Sequence, residues 1–279
     1  MKYRVLQPWH CYMTSMSDRR VWNWQALPTW SDEMWRLLSD VVDADVIVEF
    51  RQSPPEFIVS DDLSWLDGIV RKVTGREIDT KDLLANRLLE RYDAIRAFHG
   101  ACPIDIELYY KEGLLLLDAE RFEASVRSIF LSDSFPELTP AHIENAIQAV
   151  GRDLREGRLY FEANERMLID YCAHYMLYGS EYMVGIAAHI EGHKDYRQVL
   201  KRRGTPTVFV CDVPLDYMHS NAVAEFAGMA IEVLFESLLD ASYVHPQLAR
   251  GGGICLRRPL SPGLIVGHYH PRELKDPLN

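Results

Sequence analysis

The chain is best understood outward from Ile95-Arg96-Ala97-Phe98-His99-Gly100-Ala101. The residues from Ile95 to Phe98 have the length and residue types of a short buried strand, and the pair His99-Gly100 is expected to end it. Gly113 follows His99 after fourteen residues, behind a stretch that we expect to form one short helix. The sequence here predicts a strand, a histidine–glycine pair and a helix closed by glycine.

A second segment has a related organisation. Leu159-Tyr160-Phe161 is typical of a short strand, Asn164 follows it, and Tyr171 comes eleven residues after Tyr160. The two tyrosines can converge only if the chain reverses between them, and residues 162–164 permit such a reversal. The predicted order is therefore strand, turn and helix, with one tyrosine on each of the two elements.

Together, the two segments resemble the first two motifs of the ADP-ribosyltransferases of the diphtheria-toxin and poly(ADP-ribose) polymerase type. The resemblance implies that NAD is the co-substrate, that His99 holds a ribose hydroxyl, and that the backbone at Gly100 and the neighbouring Ala101 holds the nicotinamide amide. It also implies that Tyr160 and Tyr171 clamp the nicotinamide ring. Two aromatic faces suit an electron-poor pyridinium, because cation–π attraction adds to the buried area.

The third family motif is incomplete in this chain. The family places a glutamate at the start of a late strand, and here that position falls on residues 251–253, which are all glycine. Three explanations stay open. A glutamate comes from elsewhere in the chain, or a basic residue does the work, or the domain binds NAD or ADP-ribose without transferring it. The helix-borne glutamate candidates are Glu181, Glu232 and Glu236, and the basic candidates are Arg250 and Arg257.

The resemblance implies an α+β fold with a split β-sheet core and surrounding helices, covering residues 93–279. Residues 1–92 are expected to form a separate α/β region, because all six tryptophans lie in the first 65 residues. This Trp-rich region would support the transferase domain or recognise a partner.

The remaining elements follow from apolar patterning, capping residues and turn signals. Expected strands are Val46–Phe50, Thr207–Cys211, Ile254–Leu256 and Leu264–Tyr269. Expected helices begin at Thr80, at Pro140 with Thr139 as its cap and Gly157 as its end, at Asn164 running to Tyr178, at Ser180, and at Ala222 running to Leu239.

Composition limits the classes of partner. The chain has 279 residues, with 30 Lys and Arg against 41 Asp and Glu, for a net charge of −11. This balance argues against binding through a broad basic surface. The five cysteines include no C-x-x-C pair, and no apolar stretch reaches the ~18 residues of a membrane span. We expect a cytoplasmic protein with no membrane partner.

Two other clusters carry weaker signals. His189 with His193, and His268 with His270, have spacings at which a metal ion can be ligated. The basic run from Lys194 to Arg203 either faces solvent or lines the entrance for a pyrophosphate or nucleic-acid acceptor.

The sequence therefore predicts an NAD-dependent ADP-ribosyltransferase that modifies a protein or a nucleic acid, with His99, Tyr160 and Arg250 as its catalytic residues. By family analogy it would be a bacterial toxin or phage-defence effector with an antitoxin partner. The alternatives are an NAD- or ADP-ribose-binding module without transfer activity, a metal-dependent hydrolase, and an interaction protein that docks a partner through its Trp-rich half.

Overall fold

The computed structural model describes residues 19–152, 155–192, 194–201, 203–240, 248 and 252–278. The described strands are β1 (Val21–Trp22), β2 (Ala94–Ala101), β3 (Leu159–Glu162), β4 (Thr207–Pro214), β5 (Gly253–Leu256) and β6 (Ile265–Tyr269). The helices before β3 are α1 (Ser31–Leu38), α2 (Ala44–Gln52), α3 (Ser64–Thr74), α4 (Thr80–Arg91), α5 (Glu107–Glu112), α6 (Ala119–Phe130) and α7 (Pro140–Val150). Those after it are α8 (Glu165–Asp170), α9 (His174–Tyr178), α10 (Glu181–His189), α11 (Arg197–Leu200) and α12 (Ser220–Leu239).

The strands form one open sheet in the order β5-β3-β2-β4-β6, with antiparallel neighbours. Strand β4 pairs with β2 along its whole length, so β1 and β3 share the other edge of β2. Strand β1 joins this edge in parallel at Ala94 and Ile95, whereas β3 joins it in antiparallel fashion at Phe98. The class is therefore mixed α and β around an open, mainly antiparallel sheet.

Helices cover both faces of the sheet because alternate strand residues are apolar on each side. One face of β2 packs with the tryptophans, α4 and α12. The other face, which carries Phe98, packs against Leu168 of α8 and Met176 of α9. Helices α6, α7, α10 and α11 form a third, separate apolar cluster.

The tryptophan cluster packs into the main core. Trp24 and Trp30 stack with ring centroids 5.4 Å apart, and Trp22 lies edge-on to Phe226 of α12 at 5.8 Å. Residues on both sides of the predicted boundary at 92/93 therefore share one core. The division into two regions stays a prediction, and Trp9 lies outside the described residues.

Most predicted elements are present, with three corrections. Val46–Phe50 is helical, not a strand: Asp43 accepts hydrogen bonds from the amides of Asp45 and Val46 and starts α2, which buries Val46 and Phe50 one turn apart. The cap of α4 is Asp79, one residue before the predicted Thr80. Strand β2 continues past the predicted stop to Ala101, since β4 pairs with it throughout.

Two helices end earlier than expected. Helix α7 has the predicted cap at Thr139 but ends at Gly151, whose φ of +68° suits glycine, and not at Gly157. The single helix predicted from Asn164 to Tyr178 is two helices, α8 and α9, with a break after Asp170. This break decides which tyrosine reaches the site described below.

Candidate active site

A cavity of about 1240 Å³ lies between the sheet and helices α5, α6, α9 and α10. Its volume exceeds the range of about 300–1,000 Å³ that is usual for small-molecule sites, so a ligand as large as a dinucleotide fits. Four predicted site residues line it together, namely His99, Gly100, Ala101 and Tyr160. The two segments that carry the family resemblance thus meet at one cavity.

The histidine lies where β2 and β3 separate. The two strands are joined by the pair Phe98 and Glu162, and beyond this pair the Nδ1 of His99 lies 2.8 Å from the backbone oxygen of Tyr160. Burial lowers the pKa of His99, so the ring is neutral at pH 7. We assign the Nδ1–H as donor to this carbonyl, which leaves Nε2 as an acceptor.

Gly100 lies under the helices that form the cavity wall. A Cβ at this position would be 3.2 Å from Cγ of Met176 and 3.4 Å from Cβ of Tyr175. Such contacts are tighter than ordinary van der Waals packing, so a side chain here would push α9 away from the sheet. Glycine thus permits the close approach that brings Tyr175 to the cavity.

The two predicted clamp tyrosines do not meet. Tyr160 is on β3, lines the cavity and is 44% exposed, with its hydroxyl accepting a hydrogen bond from Nη1 of Arg158 at 3.2 Å. Tyr171 caps the end of α8, is 55% exposed and does not belong to the lining. Because the helix breaks there, Tyr175 of α9 takes the position in the cavity wall that was predicted for Tyr171.

The hydroxyl of Tyr175 donates to Oε2 of Glu181 at 3.2 Å. Burial, helped by the negative charge of Glu181, raises the pKa of Tyr175 well above its usual value, so the phenol is neutral at physiological pH. Glu181 begins α10 and lines the same cavity, whereas Glu232 and Glu236 of α12 do not. Of the three glutamates proposed to replace the missing carboxylate, Glu181 is therefore the one at the cavity.

Sequence reasoning missed another carboxylate of the cavity lining, that of Glu162. This residue ends β3 and pairs with Gly253 of β5, the last of the three glycines at the family's glutamate position. A Cβ at Gly253 would lie 3.8 Å from Oε1 of Glu162. The carboxylate of Glu162 thus lies at van der Waals distance from the position at which a side chain at residue 253 would begin.

Glu162 has an unusual electrostatic setting. Burial raises its pKa from 4.5 to about 7, and it makes no hydrogen bond or ion pair through its side chain with another described residue. The carboxyl also raises the pKa of the neighbouring Cys172 thiol, after the larger effect of burial. Uncompensated carboxyl groups in clefts are typical of functional sites. The signal in the sequence was its position two residues after Tyr160, which places both side chains on one face of β3.

Of the two basic candidates, Arg257 is the one that the structure describes. Arg250 and Arg202 fall outside the described residues, and Arg257 is exposed and away from the cavity. Within the basic run, Lys194 pairs with Glu137, Arg197 with Asp195, and Lys201 with Asp276. Arg203 is the described basic side chain of that run that lines the cavity.

The described members of the two histidine pairs, His189, His268 and His270, contact hydrogen-bonding groups. Nδ1 of His189 contacts the backbone oxygen of Gly185, and Nδ1 of His268 contacts the hydroxyl of Tyr110. Within the part of the chain that the structure describes, which excludes His193, there is no group of three or more side chains suited to hold a metal ion. None of the described helices is long and apolar enough to cross a bilayer.

Comparisons with known proteins gave no match to a family model, to a curated protein or to a solved structure.

Proposed function

We propose that this protein cleaves NAD at the bond between nicotinamide and ribose and transfers ADP-ribose to a macromolecular acceptor, on an ADP-ribosyltransferase-like core. One observation carries the proposal. The Glu162 carboxylate lies beside Gly253, in the cavity that also holds His99 and Tyr160. This contact supports Glu162, on the neighbouring strand, as the carboxylate that the resemblance requires.

In this reaction the carboxylate stabilises positive charge that develops on the ribose. As the bond from C1′ to the nicotinamide nitrogen breaks, its electron pair leaves with nicotinamide and positive charge develops on the ribose. An ionised carboxylate held in a partly dry cavity stabilises that charge more strongly than water does. A nucleophile of the acceptor then bonds to C1′ and releases its proton. Glu162, ionised above about pH 7, serves as this stabilising group.

The other residues of the cavity bind and orient the substrate. The free Nε2 of neutral His99 accepts a hydrogen bond from a ribose hydroxyl, and the backbone at Gly100 and Ala101 holds the nicotinamide amide. Tyr160 and Tyr175 supply the aromatic surfaces for the nicotinamide ring. Tyr175 has this role in place of Tyr171, because Tyr175 belongs to the cavity lining and Tyr171 does not.

Incubation with NAD labelled in its adenylate group tests the proposal, with protein and nucleic-acid fractions of a lysate as acceptors. We expect release of nicotinamide and label on one of the two fractions, with both signals lost in His99→Ala and Tyr160→Ala. Binding of NAD by the wild-type protein without nicotinamide release would favour the binding-module alternative. A role as a toxin or defence effector with an antitoxin stays an expectation from the resemblance.

A further inference from the structure

Four arginine side chains belong to the lining of the same cavity. Arg155 and Arg158 are half-buried there, and Arg121 and Arg203 are exposed at its edge. In most of the described structure, half-buried cationic groups are matched by a carboxylate, as Arg87 is by Asp40. Among the described residues, Arg121, Arg158 and Arg203 form no salt bridge, so these three cavity arginines are not matched by a carboxylate.

The hydrogen-bonding capacity of the two half-buried guanidinium groups is largely unused. The Nε atoms of Arg155 and Arg158 are buried and have no hydrogen-bond partner among the described residues. Arg155 lies 3.8 Å from Glu181, which is an ion-pair distance but too long for a hydrogen bond. Buried donors without a partner are costly, so the two arginines are arranged to receive an acceptor that is supplied by a ligand.

The spacing along β3 indicates what this ligand looks like. Tyr160 and Glu162 are two residues apart in β3, so their side chains lie on one face about 6.6 Å apart. Arg158 directly precedes β3, and its Nη1 contacts the hydroxyl of Tyr160, which places it next to them at the cavity. The cavity wall therefore presents a cation, an aromatic ring and a carboxylate in order. Its complement is a molecule with an anionic group at one end and a cationic or electron-poor ring at the other.

We propose that Arg155 and Arg158 form an anion subsite that binds the phosphate groups of a nucleoside diphosphate ester. The assignment rests on the proposed function, in which that ester is the pyrophosphate of NAD. Planar guanidinium groups bind phosphate oxygens through pairs of charge-assisted hydrogen bonds. Two nearby carboxylates are otherwise engaged, since Glu156, next to Arg155 in sequence, accepts from the amide of Ala119, and Asp118, the residue before Ala119, caps α6.

Isothermal titration with ADP-ribose, inorganic pyrophosphate and adenosine tests the subsite. We compare the wild-type protein with Arg155→Gln, with Arg158→Gln and with the double variant. Arg166→Gln is the matched control, since Arg166 is exposed, pairs with Asp170 and lies outside the cavity. We expect at least 10-fold weaker binding of ADP-ribose in each single variant and loss of pyrophosphate binding in the double variant. Adenosine binding and the control should be unchanged.

Wild-type affinity for ADP-ribose in the double variant would overturn the subsite, as would a wild-type protein that binds neither ADP-ribose nor pyrophosphate. Melting temperatures of all variants show whether a loss of binding reflects unfolding. Failure of the proposed function is distinguishable, because arginine-dependent binding of ADP-ribose without nicotinamide release would contradict the transferase while the subsite stands.

Discussion

Oε1 of Glu162 lies 3.8 Å from the position that a Cβ would occupy on Gly253, the residue paired with Glu162 across strands β3 and β5. Because Gly253 has no side chain, the carboxylate of Glu162 lies beside the backbone of β5. In the proposed function, Glu162 supplies the carboxylate that residues 251–253 lack, and the account depends on this pair of residues.

The rate of nicotinamide release should depend on pH through Glu162. Burial raises the pKa of this carboxyl to about 7, and only its ionised form stabilises positive charge on the ribose. We therefore expect kcat/KM for NAD to rise as the pH increases through about 7 and to level off above it. A profile between pH 6 and 8.5 that is flat, or that falls, would contradict this role.

The same group should make stability depend on pH. Its pKa is higher in the folded protein than the ordinary value of 4.5, so the folded state binds the proton more tightly. The resulting stability is fully present below about pH 4.5 and is lost as the pH rises through about 7. Glu162→Gln should thus raise the free energy of unfolding at pH 8 by about 1 kcal/mol, a value reduced for solvent screening. At pH 4.5 the variant and wild type should unfold at the same denaturant concentration.

Substitution by alanine should reduce stability at one of two neighbouring glycines and leave it nearly unchanged at the other. Gly252 has a φ of +114°, and a Cβ there would lie 2.7 Å from Cβ of Ala163, so Gly252→Ala should cost about 2–4 kcal/mol of stability. Gly253→Ala makes only ordinary contacts and should change stability by less than about 0.5 kcal/mol. Urea denaturation measures the change in the free energy of unfolding of each variant, and equal changes would contradict the β3–β5 pairing.

Tyrosine substitutions should separate the two candidates for the second clamp residue. Tyr175→Ala removes a ring from the cavity wall and should weaken NAD binding about 10-fold, whereas Tyr175→Phe keeps the ring and should bind nearly as well. Tyr171→Ala should leave the affinity unchanged, because that side chain lies outside the cavity. Titration of NAD by calorimetry checks all three variants. A loss in Tyr171→Ala alone would restore the clamp that the sequence predicted.

The sequence predicted five of the six strands of the described residues, all but β1, and several helix caps. Runs such as Thr207–Cys211 have residue types that favour a buried strand, and Thr139 followed by Pro140 marks a helix start by simple chemistry. The strand predicted at Val46–Phe50 was wrong because periodicity does not distinguish a strand from a helix in a mostly apolar run of five residues. Asp43, which caps α2, was the local signal that could have settled it.

The candidate site was predicted in part. His99, Gly100, Ala101 and Tyr160 line one cavity, as their spacing suggested. Tyr175 and Glu162 were missed for different reasons. Because the chain breaks between α8 and α9, Tyr175 lines the cavity and Tyr171 does not. No residue type in the sequence indicated that break. Glu162 was assigned to a turn, although the strand continues by one residue and presents it beside Tyr160.

The most direct test of the account is nicotinamide release by Glu162→Gln, compared with wild type and with Glu236→Gln. Glu236 is a matched control, since it was an equal candidate from sequence and lies away from the cavity. The account predicts a loss of at least about 100-fold in kcat for Glu162→Gln, the size expected when a preorganised charge-stabilising group is removed, and wild-type turnover for Glu236→Gln. Full turnover by Glu162→Gln would contradict the central claim that this carboxylate replaces the one missing from residues 251–253.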